Sequence, residues 1–428
     1  MAAVEPLLRG ESGGSGSTIT INAGGGGGGG SKIDGGGRQP QRTLTLLPLA
    51  ALIFFEVSGG PYGVEDAVGA AGPFWALLGF VTFPLIWSVP EALVCAELTG
   101  LFPENAGYVA WVTEAFGPFA GFVEGWCSWW SGAIDNAIYP GLFLQYVRQL
   151  SGGDASSGGG GGPAGWLDDR GHFLLALLAL NVLLTYLNWR GLEFVGRAAT
   201  VLVVLAVSPF LAMTVLAVPR LDLSRLAGRR AQPDWGLMIN TLMWNLNYWD
   251  SASTLSGEVI RPRTTIPRAL ALTVVIVVCV YTVPIVVGCA LVPGGGADSG
   301  PGSSGGAGSQ SFTSDLGAPA PDTVTHGGSG GGGGGEWEQW QDGYFTTVAE
   351  EIGGKWLGVW LLAAAALSAA GQYLAEMSSN SFQLEGASTS HTHSQCSQKH
   401  LRLSPLQSAS QQSLGLLLYL VVRYRDRE

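Results

Sequence analysis

Residues Glu56 to Asp66 read EVSGGPYGVED. They interrupt an apolar run that extends from Leu44 to Ala71. Gly59, Gly60 and Gly63 permit unusual backbone angles, and Pro61 has no amide donor, so a helix entering this stretch breaks between Ser58 and Gly63. Irregular backbone at membrane depth is tolerated only where it lines a cavity or is buried in protein. The stretch therefore predicts a helix broken over a cavity, with free carbonyls and the Ser58 hydroxyl facing a ligand. Its acids add direction. Glu56 falls at the partially negative C-terminal end of the inner half-helix, a place that suits an acid only if a cation visits. Glu65 and Asp66 fall in the first turn of the outer half-helix, where they complement the dipole and repel an anion. Capping that helix end is the alternative role for them.

Composition supports a membrane setting. The chain has 428 residues, 47% hydrophobic and 12% charged, against about 25% charged in ordinary soluble domains. Fifteen tryptophans supply rings of the kind that collect at bilayer interfaces. A polytopic membrane protein is expected. The net charge of −11 and the lack of a basic stripe argue against nucleic acid as a partner. Cys95, Cys127, Cys279 and Cys289 lie in or at the ends of apolar segments and Cys396 in a polar tail, which reads as packed thiols with no disulfide framework. No phosphate loop, hydrolase elbow or metalloprotease helix is present. No enzymatic activity and no cofactor are expected. His391, His393, Cys396 and His400 are zinc-binding residue types, but no matching second half accompanies them, so no metal site is expected.

A span needs about 20 mostly apolar residues. Eight segments qualify: Leu44–Ala71, Pro73–Leu101, Phe116–Tyr146, His172–Asn188, Phe194–Val218, Trp235–Val259, Ile266–Val292 and Trp356–Phe382. The sixth is polar at its centre. Residues 1–42 are Gly/Ser-rich with no continuous apolar core, so they read as a disordered cytoplasmic segment with no cleavable signal. Residues 43–386 form the membrane domain. Within it, 293–343 is a low-complexity loop, expected outside. Residues 387–428 are a polar tail with one short apolar stretch, LGLLLYLVV, too short to span alone. With the N-terminus inside, the cytoplasmic side holds Arg38, Arg42, Arg190, Arg197, Arg261, Arg263 and Arg268. The outer side then holds Arg148, Arg170, Arg220, Arg225, Arg229 and Arg230, against the positive-inside tendency. The compact basic loop RPRTTIPRA and the outward acidic loop favour N-inside.

Broken helices at matching positions of two repeats point to the binding site of a secondary transporter. Here the first and sixth segments are interrupted. AELTGLFPENAGYVAWV and DSASTLSGEVIRPRTTIPRAL resemble the second- and sixth-helix motifs of the amino acid–polyamine–organocation superfamily. EVSGGPYGVED, PLIWSVPEALVCAEL, GAIDNAIYPGLFLQY and WNLNYWDSASTLSGE resemble its plant and algal polyamine uptake transporters. The resemblance covers about residues 43–386 and implies an all-α polytopic fold with a five-plus-five inverted repeat and broken helices 1 and 6. Family members have twelve spans, so the second repeat here is incomplete, with about eight spans in all. The resemblance also implies import of polyamines together with protons, with the plasma membrane the expected location and an endomembrane the alternative. An amino acid carrier of the same fold, or a shortened non-transporting form, are the alternatives. The polyamine reading rests on the acids around the first break, since putrescine and spermidine carry ammonium groups and no carboxylate.

The residues expected to contact substrate follow. Glu56, Ser58, Gly59, Gly60, Tyr62 and Gly63 come from the first break. Glu91, next to Pro90 in the second segment, is a ligand candidate. In the third segment, Glu124 and Asp135 are eleven residues apart, about three helical turns, so they share a face about 16 Å apart, with Tyr139 one turn beyond Asp135. Asp135, Asn136 and Tyr139 are taken as ligands. The neighbouring Trp126, Trp129 and Trp130 offer cation–π faces, with packing or an interface role as the alternative. Trp244, Asn245, Asn247 and Trp249 come from the sixth segment, the tryptophans being similar in placement to gating aromatics of the superfamily. Asp250 falls where related carriers place an acid linked to proton coupling. Protons and cations compete at a buried carboxylate, which is the physical basis of such coupling. Gln372 and Glu376, one turn apart in the eighth segment, rank lower. The partners are a small polycation, protons and the lipid bilayer. Oligomeric state is not legible.

Overall fold

In a computed structural model the described residues are 42–151, 165–291, 337 and 339–390. Most of the Gly/Ser-rich N-terminal segment, most of the 293–343 loop, and the tail with His391, His393, Cys396 and His400 lie outside them. The described chain is helical. Its one β-bridge joins Leu44 to Val259.

The first apolar run forms α1 (Leu46–Val57) and α2 (Glu65–Ala71), separated by non-helical backbone. The second forms α3 (Pro73–Phe83), a π-helical turn at Pro84–Ser88, and α4 (Val89–Leu101). Pro84 and Pro90 each lack an amide donor, and the wider turn between them accommodates the lost bonds. A short helix, α5 (Tyr108–Phe116), precedes α6 (Pro118–Leu150). Then come α7 (Arg170–Trp189) and α8 (Leu192–Ala217). The sixth run forms α9 (Trp235–Leu246) and, beyond Asn247 and Tyr248, a 3-10 segment at Trp249–Glu258. α10 (Pro262–Leu291) follows, then α11 (Tyr344–Gly353) and α12 (Lys355–Ser390). The apolar runs and both breaks fall where hydropathy places them. α5 and α11 are not legible there, because each is short and carries polar residues on one face.

Among the described residues, five helices are long and apolar enough to cross a membrane: Pro73–Leu101, Arg170–Trp189, Leu192–Arg220, Pro262–Leu291 and Lys355–Gly386. Large apolar side chains stand exposed on them, among them Leu85, Ile86, Val94, Leu175, Val201, Val204 and Val275. In water such surface would be costly; against lipid tails it is the expected solvent-facing chemistry. This is a multi-pass membrane protein.

The two broken helices lie side by side and antiparallel. At one end, the amides of Thr43 and Leu44 donate to Glu258 O at 2.9 and 3.0 Å, and Ile260 N donates to Leu44 O at 2.9 Å. At the other end, Arg230 N donates to Ala71 O at 3.1 Å and Asp234 N to Ala70 O at 2.8 Å. The start of α1 thus meets the end of the 3-10 segment, and the end of α2 meets the approach to α9. The breaks are brought level between them. Tyr281 of α10 ties them together, its hydroxyl within 3.3 Å of both Ser58 O and Asn245 Oδ1. α12 runs against α6, α8 and α1, closing the bundle around this centre.

Candidate functional site

Side chains of the first break itself and of neighbouring helices take up freed backbone groups at both breaks, as a broken helix at membrane depth requires. In the first, Gly60 N donates to Ser58 Oγ at 3.1 Å, and Ser368 of α12 donates its hydroxyl to Gly59 O. Gly59 has φ +65°, and a Cβ there would collide with the Gln372 side chain, so the position needs glycine both for its backbone and for its neighbour. In the second, Ser88 donates to Leu246 O at 2.7 Å and Glu91 Oε1 accepts from Trp249 N at 3.0 Å. Tyr248 is left-handed, φ 72°, which is uncommon for an aromatic residue and turns the chain sharply between the two half-helices.

Between the breaks, α6 and α12 lies a cavity of about 220 Å³. α1 contributes Glu56 and Val57, and the first break Ser58. α6 contributes Glu124, Ser128, Ser131, Gly132, Asp135 and Tyr139, a continuous stripe at helical spacing. α12 contributes Gln372, Glu376, Ser379 and Asn380, again at helical spacing. The second break contributes Trp244, Asn245, Tyr248, Asp250 and Ser251, and α5 contributes Tyr108. Five carboxylates from four segments therefore face one cavity: Glu56, Glu124, Asp135, Asp250 and Glu376. Among the described residues, no Lys, Arg or His lines it.

The carboxylates are partly organised. Glu56 and Glu376 lie within hydrogen-bonding reach of one another. Asn380 Nδ2 donates to Glu376 Oε1 at 3.1 Å. Glu56 Oε1 is buried with no hydrogen-bond partner among the described residues. Buried acceptors of this kind are costly unless a donor arrives. At the α5 side, the Tyr108 and Ser128 hydroxyls share a hydrogen bond, and Gln383 Nε2 reaches Ser128 Oγ at 3.1 Å.

The residues expected from the sequence divide into two groups. Glu56, Ser58, Asp135, Tyr139, Trp244, Asn245 and Asp250 line the cavity. Gly59, Gly60 and Gly63 shape the break without lining it. Tyr62 packs away from the cavity, its hydroxyl donating to Ala206 O at 3.2 Å and its ring against Phe210. Glu91 holds the Trp249 amide. Asn136 is buried on α6 with its Nδ2 on Gly132 O at 3.1 Å. Asn247 Oδ1 accepts from Trp87 Nε1 at 3.0 Å. Trp249 is fully buried and donates Nε1 to Leu246 O. Trp126, Trp129 and Trp130 pack against one another, Trp130 edge-on to the other two, and do not line the cavity. Ranked low or missed in the sequence were Glu376 and Gln372, Tyr108 and Tyr248, and the serines of α6 and α12. The spacing of Gln372, Glu376, Ser379 and Asn380 was the available signal.

Glu65 and Asp66 have a distinct role. Glu65 Oε1 accepts from Phe345 N at 3.3 Å, and Asp66 Oδ1 accepts from Asp342 N at 3.0 Å. The two acids pin the turn before α11 onto the first turn of α2. Glu65 also accepts from its own backbone amide. The N-terminus of α2 is thus occupied by side chains of its own, and a substrate carboxylate would have to displace them.

Residues 44–394 match the family model described as amino acid permease. The chain belongs to this family. Among curated relatives, it is 46% identical over 346 residues to a probable polyamine transporter of Arabidopsis thaliana, covering 81% of this chain and 59% of that protein. It is 45% identical to polyamine transporter PUT1 of Oryza sativa subsp. japonica, covering 82% and 57%. The human large neutral amino acids transporter small subunit 2 is 25% identical over 58% of this chain and 47% of its own length. The chain spans about three-fifths of the length of the polyamine transporters it matches. Among solved structures, MhsT in complex with L-phenylalanine covers 90% of this chain and 80% of its own, with TM-score 0.54 at 13% identity. That likeness concerns the fold.

Proposed function

We propose that this chain forms the substrate-binding part of a secondary carrier that brings polyamines into the cell with protons. The observation that carries the reading is the cavity: five carboxylates, three tyrosines and a tryptophan, with no basic residue among the described residues that line it. An ammonium group gains a charge-assisted hydrogen bond of roughly 1.5–3 kcal/mol from each acid it meets. A zwitterionic amino acid would bring a carboxylate into the same field, and like charges in close contact cost several kcal/mol. The α2 N-terminus that could receive such a carboxylate is already engaged by Glu65. The polyamine transporters among the relatives agree with this reading.

The described residues fit the first half and the opening helices of the second half of a five-plus-five plan. α1/α2, α3/α4, α5 and α6 have counterparts in α9 with the 3-10 segment, α10, α11 and α12, in the same order and with the opposite sense at the paired breaks. Eight spans follow from this assignment, each broken pair counting once. The N-terminus is cytoplasmic and the turn at Asp342 is external. Residues 43–386 act as the transport domain, and the plasma membrane is its location. Asp250, at the start of the 3-10 segment and facing both the cavity and Glu124, exchanges a proton as the amine binds and leaves.

The test is uptake of labelled putrescine and labelled leucine at two external pH values, in cells deficient in polyamine uptake. The chain itself and a form extended with the C-terminal spans of a relative are compared. Putrescine uptake greater at low external pH supports the proposal. Leucine uptake without putrescine uptake rejects it.

A further inference from the structure

The cavity's acids are spread along α6, and their spacing bears on which polyamine the site prefers. Glu124 and Asp135 both line the cavity and are eleven residues apart, about 16 Å along the helix. Glu56, Asp135 and Glu376 interact electrostatically with one another. Glu124 lies at the other end of the α6 stripe and acts electrostatically on Asp250. Asp250 also acts on Glu56, so it lies between the two ends. The cavity thus offers a terminal cluster, a middle acid and a distant acid.

Ligand lengths can be set against this spacing. An extended chain advances about 3.5 Å for every three bonds. The two nitrogens of a four-methylene diamine are five bonds apart, hence about 6 Å. The end nitrogens of spermidine are nine bonds apart, about 11 Å, and those of spermine thirteen, about 15 Å. A diamine that places one ammonium at the Asp135 cluster spans less than half of the rise between Asp135 and Glu124. Of the three amines, the tetraamine alone matches that rise.

We infer that Glu124 is the residue through which the site selects for amine-chain length, favouring long polyamines by engaging the ammonium furthest from the Asp135 cluster. This inference rests on the polyamine reading and adds an order of preference to it. Ser128 and Tyr108, hydrogen-bonded to each other beside Glu124, provide the polar wall at that end. The middle acid, Asp250, meets the second amine of every member of the series, so its removal should not discriminate between them.

The experiment is equilibrium binding of putrescine, spermidine and spermine to the purified full-length chain, its Glu124→Gln and Glu124→Asp variants, and Asp250→Asn. For Glu124→Gln the ratio of spermine to putrescine affinity should fall at least tenfold, the loss expected for one charge-assisted hydrogen bond, while the ratio of spermidine to putrescine affinity changes less. Glu124→Asp should recover part of the ratio, and Asp250→Asn should leave the ratio within about twofold. Binding of putrescine by the same preparation verifies folding. If Glu124→Gln weakens all three amines equally, or none, the length-selection role is wrong while the polyamine reading stands. If the parent chain binds none of the three, the polyamine reading itself fails and takes this inference with it.

Discussion

Glu91 is the residue whose removal should most directly expose how the second break is held. In a continuous helix the Trp249 amide would donate four residues back, to Asn245 O. The turn at Asn247 and Tyr248 removes that acceptor, and Glu91 Oε1 replaces it at 3.0 Å. Glu91 also accepts from the Asp250 amide. Glu91→Leu leaves two amide donors unpaired beside a fully buried tryptophan, at roughly 1–3 kcal/mol each, so about 2–6 kcal/mol in total. Glu91→Gln keeps a carbonyl acceptor and exchanges a charged hydrogen bond for a neutral one, at about 1 kcal/mol. Both variants relieve the repulsion between Glu91 and Asp250, so their difference isolates the hydrogen bonds. Unfolding of the purified protein in mixed micelles, titrated with SDS, measures it. Glu91→Leu should be less stable than Glu91→Gln by at least 1 kcal/mol. Equal stabilities, or a leucine variant more stable than the parent, would refute a supporting role for Glu91.

Three further outcomes follow from the same geometry. Gly59→Ala places a Cβ at φ +65° against Gln372 and should lower stability by about 1–2 kcal/mol, read in the same titration. Pairing it with Gln372→Ala should recover only the steric part. Asp342 lies in the turn before α11, outside the membrane-spanning helices, and burial there pushes its carboxyl above the usual range. A raised acid binds its proton more tightly in the folded state, so its contribution is fully present below the unfolded value and is lost as pH rises through the folded one. Asp342→Asn should therefore raise the melting temperature at neutral pH, with the gain vanishing in acid. A gain that persists unchanged in acid would contradict this. In cells expressing the extended form, Asp250→Asn should flatten the dependence of putrescine uptake on external pH, and an unaltered profile would remove Asp250 from proton coupling.

Much of the membrane frame was legible because lipid imposes simple rules. Long apolar runs mark the helices, and the glycines and proline of EVSGGPYGVED mark the first break. The polar centre of the sixth run marks the second. Glu124, Asp135 and Tyr139 share a face because helical periodicity leaves them no choice, and the cavity is where that face points. Other residues were harder to place because polarity alone does not tell a ligand from a support. Glu91, Asn247 and Trp249 lie as close to a break as the cavity residues do, yet they serve its backbone. Asn136 differs from Asp135 by one position, which is enough on a helix to turn it into the protein. Glu376 looked peripheral in sequence and is central in space, because α12 crosses α6 opposite Asp135. The attachment of Glu65 and Asp66 to the turn at Asp342 joins positions some 280 residues apart, and no local pattern announces such a contact.

The central claim is that this cavity holds a polycation on carboxylates contributed by α1, α6 and α12. The most direct measurement is equilibrium binding of labelled spermidine to the purified chain and to an Asp135→Asn, Glu376→Gln double variant, with leucine as competitor. The account predicts saturable binding that leucine does not displace and that the double variant weakens by at least a hundredfold. Undiminished binding by the double variant, or displacement of spermidine by leucine, would contradict it.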